Sequence, residues 1–274
     1  MVMLHVRVID PNGRAVSDVP QSSFQITEDG TPQQIEFFSA EKVPLSYGLV
    51  IDCSGSLHDD IQKVIDASIR IVNSNTDADE AFLIRFISSD KIELVQEPTS
   101  DKKVLIDGLN SLYIEGGQTA VIDAVFLAAQ KLIAVKPDIA KPRRAVLVLV
   151  TDGDDRSSYY KDKQLLQLLH ATNTQVYVIG VPVVLKPKQN EKATRLLNLI
   201  AGETGGRLFV PKSPADLTRI ADEIINDIRT QYVIGYVPAK STSDFHKVQV
   251  TIAGNPNQEK RIAVTRLGYS VKTK

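Results

Sequence analysis

The 274-residue chain has no tryptophan, two methionines and one cysteine, Cys53. A single cysteine rules out a fold stapled by intramolecular disulfides. That suits a reducing compartment, and equally a bacterial envelope protein that uses no bridges. Charge of one sign is missing too: 32 Lys and Arg oppose 33 Asp and Glu, for a net charge of -1. A nucleic-acid binder would carry a basic patch or a high pI, and here the pI is near 6.4. The densest basic cluster, Lys141-Pro142-Arg143-Arg144, is short and reads as the solvated start of a strand. No apolar run reaches membrane-spanning length, so no direct membrane insertion is expected, and the opening residues lack the layout of a signal peptide. Neither Gly-x-Gly-x-x-Gly nor Gly-x-x-x-x-Gly-Lys-Ser/Thr occurs, which argues against a bound nucleotide. His5, His170 and His246 are scattered without metal-ligand spacing and read as structural or surface residues.

What is present is a core-forming composition, 43% hydrophobic, in a chain long enough for two domains. The first forty-odd residues alternate apolar and polar, as antiparallel strands with one wet face do. Leu4–Asp10, Phe24–Glu28 and Gln34–Phe38 read as strands. Pro11-Asn12-Gly13 and Asp29-Gly30 read as turns. From Tyr47 to about Thr230 strands alternate with helices. Tyr47–Ile51, Ala81–Phe86, Ala145–Val150 and Gln175–Gly180 are apolar runs suited to a parallel sheet covered on both faces. Lys91–Val95 alternates and reads as an antiparallel edge strand, and Arg207–Val210 as a short strand. Helices are predicted after Ser56, over 102–109, from Thr119 to about 135 with Ile122, Val125, Ala129, Leu132 and Ile133 inward, over 164–171 and over 192–203. A last helix starts at Ser213-Pro214-Ala215-Asp216, where a capping Ser, a Pro at the first position and an acid in the first turn coincide. After Thr230, Gln231–Tyr236, His246–Thr251 and Arg261–Thr265 are strands, the last two joined by a turn at Asn255-Pro256-Asn257.

This order predicts an α/β fold with a doubly wound, mostly parallel sheet over residues 43–230. Neither terminal piece has enough strands to hide its own apolar face. Residues 1–42 and 231–274 are therefore expected to pair into one small, discontinuous β-sandwich with the α/β unit inserted in it.

Two of the apolar runs end in an acid. Asp52-Cys53-Ser54-Gly55-Ser56 follows the first, and Thr151-Asp152-Gly153 follows the Ala145–Val150 run. Ligands of open α/β sheets bind at that carboxyl edge. A third hydroxyl, Thr119, follows a Gly-rich loop, Glu115-Gly116-Gly117-Gln118. Two carboxylates and three hydroxyls make a hard-oxygen set with few formal charges, suited to Mg²⁺ or Mn²⁺, with Ca²⁺ a further candidate. Gly116-Gly117 reads as flexibility in that loop. Cys53 points away from this edge by strand alternation, into the packing. His58, Asp59 and Asp60 read as the first turn of the following helix, with acids favouring its dipole. Asp154 and Asp155 read as solvated loop acids. Tyr159 and Tyr160 are either an exposed aromatic contact or simple packing.

Asp-x-Ser-x-Ser, a distant Thr and Thr-Asp-Gly, in that order, resemble the metal-ion-dependent adhesion site (MIDAS) of von Willebrand factor A domains. The resemblance spans roughly Pro44 to Thr230. It implies that Ser54 and Ser56 ligate the metal directly, and Thr119 directly or through water. Asp52 and Asp152 then act through metal-bound water or bind directly. A metal held mostly by neutral ligands keeps much of its charge, so the resemblance implies capture of a partner protein's Glu or Asp carboxylate rather than catalysis. The flanking segments, including Glu28-Asp29-Gly30, Tyr232–Pro238 and Arg266-Leu267-Gly268-Tyr269, are similar to acidobacterial-type envelope proteins of that family. This implies an extracytoplasmic location, with an export signal outside this chain. Two rival readings are a structural envelope domain with a non-exchanging ion, and a Mg²⁺-dependent hydrolase. The second lacks basic residues in the site loops apart from Arg156.

Overall fold

Apolar runs without polar interruption form the centre of the molecule, and alternating runs form its flank. The computed structural model describes residues 1–134, 143–181, 187–238, 245–253 and 260–270. In chain order the elements are β1 (Val2–Ile9), β2 (Phe24–Glu28), β3 (Thr31–Gln33), β4 (Phe37–Ser39), β5 (Leu45–Asp52), α1 (Ile61–Asn73), β6 (Glu80–Phe86), β7 (Ile92–Thr99), α2 (Lys102–Asn110), α3 (Val121–Ala134), β8 (Arg144–Thr151), α4 (Asp162–Thr172), β9 (Gln175–Gly180), α5 (Pro187–Glu203), β10 (Arg207–Phe209), α6 (Leu217–Arg229), β11 (Tyr232–Tyr236), β12 (Phe245–Ile252), β13 (Ile262–Val264) and β14 (Gly268–Ser270).

Six strands form one sheet in the order β10-β9-β8-β5-β6-β7. All pairs are parallel except β6 with the edge strand β7. Every residue of β5 is buried, because helices cover both faces. One core layer packs α1, α2 and α6 on the sheet, and the other packs α3, α4 and α5. Local chemistry marks the helix ends. Asp101 caps α2 by accepting from Lys103 N at 2.8 Å. Ser213 and Asp216 form a reciprocal capping box ahead of α6. Leu217, Ile220, Ile224 and Ile228 then fall on one buried stripe.

The flanking strands form two further sheets, β13-β1-β11-β4 and β14-β12-β2-β3. Each mixes strands from before and after the α/β region. Their shared core includes Leu4, Val6, Phe24, Ile26, Ile234 and Val250. Phe24, Phe38 and Tyr232 meet there with ring centroids 5.0–5.7 Å apart.

Several expectations are corrected. The strand predicted over 34–38 is two short strands. Thr31–Gln33 pairs with β2 and Phe37–Ser39 with β11, so residues 34–36 carry the chain from one sheet to the other. His58, Asp59 and Asp60 precede α1 rather than opening it, because a 3-10 turn over Gly55–Leu57 intervenes. Ile133 is exposed; the inward face of α3 runs through Ala124, Val125, Ala128, Ala129 and Leu132. Helix α5 starts at Pro187, earlier than predicted. Strand β14 had too short a run to be read. The Asn255–Asn257 turn lies outside the described residues.

Gly48 shows how tightly the sheet is covered. A Cβ there would meet Phe82 Cζ at 2.4 Å and Leu147 Cδ2 at 2.9 Å, both in the core. Gly48→Ala is expected to cost about 1–3 kcal/mol by overpacking. Urea unfolding checks this through a lower midpoint at unchanged slope.

Candidate metal centre

Strand order decides where the chemistry gathers. From β5 the chain winds outward to β6 and β7 on one side, then returns as β8 to wind outward on the other. The order therefore reverses between β5 and β8, the switch point at whose strand carboxyl ends open α/β sheets bind ligands. Ile51 pairs with Val150, so Asp52 and Thr151 leave the sheet side by side. Thr151 Oγ1 donates to Asp52 Oδ2 at 2.6 Å. Ser54 N donates to Asp52 Oδ1 at 2.9 Å. That bond turns the chain into the Gly55–Leu57 turn, anchored by buried Leu57, and sets Ser54 Oγ 3.1 Å from Ser56 Oγ. Ser54 is buried and Ser56 exposed, so the set opens to solvent on the Ser56 side.

Asp152 follows on the adjacent strand end, its Oδ1 accepting from Asp154 N at 2.9 Å. Gly153 makes this turn at φ +78°, and a Cβ there would sit 2.9 Å from Leu197. Both the backbone angle and the space call for glycine. Thr119 is buried, and its carbonyl accepts from Arg156 N at 2.8 Å and Ser157 N at 3.2 Å. At the other end of its loop, Glu115 N donates to Cys53 O at 2.9 Å. Backbone bonds thus tie the Thr119 loop to both strand ends. Asp52, Ser54, Ser56 and Asp152 lie at one sheet edge, with Thr119 in the loop fastened across it.

Burial pushes the Asp52 carboxyl up to about 7, and the charge of Asp152 adds to it; hydrogen bonds from Thr151 and Ser54 work against the rise. Among the described residues neither Asp52 nor Asp152 has an ion-pair partner. Arg156, the one arginine in these loops, is bound to Asp154, with its Nε 2.6 Å from Oδ2. Two neighbouring carboxylates without a direct ion-pair partner among the described residues, beside clustered hydroxyls, fit a hard divalent cation and give no purchase to a soft one.

Some side chains behave differently from expectation. Asp154 is buried and paired rather than solvated, and Asp155 accepts from Ile122 N in the first turn of α3 at 3.2 Å. Gly117 is a packing glycine as much as a flexible one, since a Cβ would meet Ile87 Cγ2 at 2.4 Å. Tyr160 is packed and Tyr159 is exposed. Tyr160 stacks on Phe126 at 3.8 Å, and Tyr159 is 77% exposed in the loop that follows Asp152. Cys53 is buried in the core, and burial pushes its thiol up to about 12, which removes it as a nucleophile at neutral pH.

Two residues that shape the site escaped the sequence reading. Asp123, buried in the first turn of α3, accepts from Tyr159 N and Tyr160 N, both at 2.8 Å, and from Ser89 Oγ at 2.5 Å. It fixes the loop after Asp152. An acid in an otherwise apolar helix was its signal. Arg85, buried in β6, reaches Glu93 at 2.7 Å and Glu115 at 3.1 Å, with Tyr113 stacked 3.7 Å from its guanidinium. It steadies the Thr119 loop from below. Its signal was an arginine inside the apolar run 81–86.

The sequence profile of the von Willebrand factor type A domain matches residues 48–223. No curated protein matches the chain in sequence. Among solved structures, the chain is similar to a von Willebrand factor type A protein from Catenulispora acidiphila, with 14% identity, TM-score 0.58, and coverage of 95% of this chain and 72% of the other. It is also similar to an aerotolerance-related membrane protein from Bacteroides fragilis bearing multiple mutations to serine, with 19% identity, TM-score 0.51, and coverage of 66% and 98%. A third is proximal thread matrix protein 1 from the mussel byssus with a zinc-occupied MIDAS motif, with 16% identity, TM-score 0.56, and coverage of 73% and 49%. At these identities the likeness speaks for the fold.

Proposed function

The chain belongs to the von Willebrand factor type A domain family, and on that footing we propose that it is a divalent-cation-dependent protein-binding module of the bacterial cell surface or periplasm. Domains of this family are generally interaction modules and commonly hold a divalent metal. The observation that carries the reading is the pair of strand-end carboxylates, Asp52 and Asp152, set beside hydroxyls with no direct ion-pair partner among the described residues. Ser54 and Ser56 would ligate through their hydroxyls, and Thr119 directly or through water. Asp52 and Asp152 would accept hydrogen bonds from metal-bound water. Bound there, Mg²⁺ or Mn²⁺ supplies a positive charge that a partner's Glu or Asp carboxylate completes. Arg156 is engaged by Asp154, so the loops offer no free cationic clamp for phosphoryl chemistry, which supports binding over hydrolysis. Tyr159 stands exposed where a partner would dock. The zinc-occupied relative and the membrane protein named above support a metal here and a place in the envelope. We extend the proposal to the domain division, with 43–230 carrying the site and 1–42 with 231–274 forming its base.

Calorimetry of Mg²⁺ and Mn²⁺ on metal-stripped protein tests the reading. Saturable binding lost in Ser54→Ala is the expected result, and no binding by the folded wild type would remove the proposal. Proton linkage gives a second check. Because the Asp52 carboxyl sits near 7, it holds a proton below neutrality that the metal must displace. Metal binding should release close to one proton at pH 6 and little at pH 8. Apparent affinity should then fall by about tenfold per pH unit below 7. Titration in buffers of different ionisation enthalpy reads this directly.

A further inference from the structure

We propose that Glu28, Asp29 and His246 form a second cation site, for Zn²⁺ or a similar borderline transition ion, inside the β-sandwich. Sequence spacing gave no hint of it, since these residues come from opposite ends of the chain. Folding brings them together. Strand β12 runs antiparallel to β2, with Val248 opposite Glu28. The turn after β2, with Asp29 at φ 50° and Gly30 at φ 82°, folds the Asp29 carboxylate back onto the start of β12. His246 Nδ1 then lies 2.7 Å from Asp29 Oδ2 and 3.8 Å from Glu28 Oε1. One ligand atom from each of the three falls within 4.8 Å of the others.

Burial and charge both call for a cation. Glu28 is 5% exposed and His246 2%. Glu28 Oε2 accepts from Tyr269 OH at 2.9 Å and from Tyr236 OH. Its Oε1 receives no hydrogen bond among the described residues and faces the imidazole. That oxygen is free to ligate at the rim of the buried pair. A hydrogen bond from His246 Nδ1–H to Asp29 Oδ2 at 2.7 Å is the rival arrangement. It leaves the trio with an uncompensated negative charge, while Nε2 is buried without a partner among the described residues, with or without an ion. A divalent ion on Nδ1 brings two carboxylates and a neutral imidazole to zero charge.

The donor set selects the ion. One imidazole nitrogen with two carboxylate oxygens suits Zn²⁺, whereas Mg²⁺ and Ca²⁺ favour oxygen alone. The supports are also in place. Tyr269 stacks on the His246 ring at 5.3 Å, Asp29 Oδ1 is held by Lys247 N at 2.9 Å, and two tyrosines hold Glu28. Asp29 is half exposed and gives the ion a way in. An ion here would fasten β2 and its turn to β12 and β14, the N-terminal strands to the C-terminal ones. None of these three residues belongs to the strand-end site.

Zinc alone, added to the chelator-stripped full chain and followed by equilibrium dialysis with metal analysis, tests it. A zinc equivalent that survives Asp152→Ala and resists excess Mg²⁺ is expected. It should weaken more than ~10-fold in His246→Gln and in Glu28→Gln. The second variant keeps the shape of the side chain and an acceptor for the tyrosines, so it stands as the check should His246→Gln misfold. Co²⁺ on the Asp152→Ala protein should give the visible band of a nitrogen-ligated ion of low coordination number. No zinc equivalent in folded Asp152→Ala protein overturns the proposal. Unchanged zinc affinity in folded Glu28→Gln, or absence of the cobalt band, overturns it as well.

Discussion

Asp152→Ala is expected to lose ~10–100-fold in Mg²⁺ affinity while leaving the metal-free protein about as stable as before. The two halves have one cause. Asp152 sits at a strand end next to that of Asp52, and its charge adds to the burial that pushes Asp52 up to about 7. With no direct ion-pair partner among the described residues, the Asp152 carboxylate repels Asp52 in the metal-free protein, offset in part by the nearby Arg156, and gains its main attraction from a bound cation. Its structural bond is a single acceptance from Asp154 N, which an Asn would also provide. Calorimetry with Mg²⁺ reads the first half, and thermal unfolding in chelator reads the second. A variant that binds Mg²⁺ normally would count against the site. One that loses its fold would show that Asp152 is a structural residue instead.

Asp227→Ala is expected to destabilise the protein by about 3–5 kcal/mol, for a reason unrelated to metal. Asp227 on α6 forms an ion pair with Arg7 on β1, and both are buried to within a few per cent. Arg207 Nη1 stands 3.5 Å away on the other side. Burial pushes the Asp227 carboxyl up even though both arginines pull it down, so the pair is held at a desolvation cost. Removing the carboxylate leaves the Arg7 guanidinium buried beside a second cation, which is the costly half of breaking a buried pair. The double variant Arg7→Met/Asp227→Leu should recover most of the loss, because apolar replacement of both partners removes the desolvation cost as well. Thermal unfolding would show a Tm fall on the order of 10 °C for the single variant. Equal Tm for wild type and Asp227→Ala would mean that α6 and the sandwich are joined by apolar contacts alone. The pair links the last helix of the α/β sheet to a sandwich strand, so its loss would loosen one against the other.

Much of the fold was legible in the residues because it rests on short-range regularities. The apolar runs ending at Asp52 and Thr151 are central strands because nothing in them tolerates water. The α6 stripe from Leu217 to Ile228 has one periodicity and one plausible face. The capping set at Ser213–Asp216 satisfies its own backbone donors locally. Alternation within β1, β2 and β12 marks one wet and one dry face. The strand-end acids and hydroxyls were legible for the same reason: each motif is contiguous and sits at the end of a readable strand.

Other features belong to the tertiary structure. The break at 34–36 follows from a change of sheet, which alternation within one strand does not announce. Arg85 and Asp123 become parts of the site only because distant loops supply their partners. The switch point exists because strand order reverses between β5 and β8, and that order is set by pairing across long separations. His246 meets Glu28 and Asp29 only when β12 lies against β2. The sequence by itself determined which segments are strands and helices and which oxygens stand at the strand ends, since periodicity and local bonding act over a few residues. Which of those ends are neighbours, and which charges share a buried space, only the packed structure decided. Those relations depend on long-range contacts whose energies no local pattern encodes.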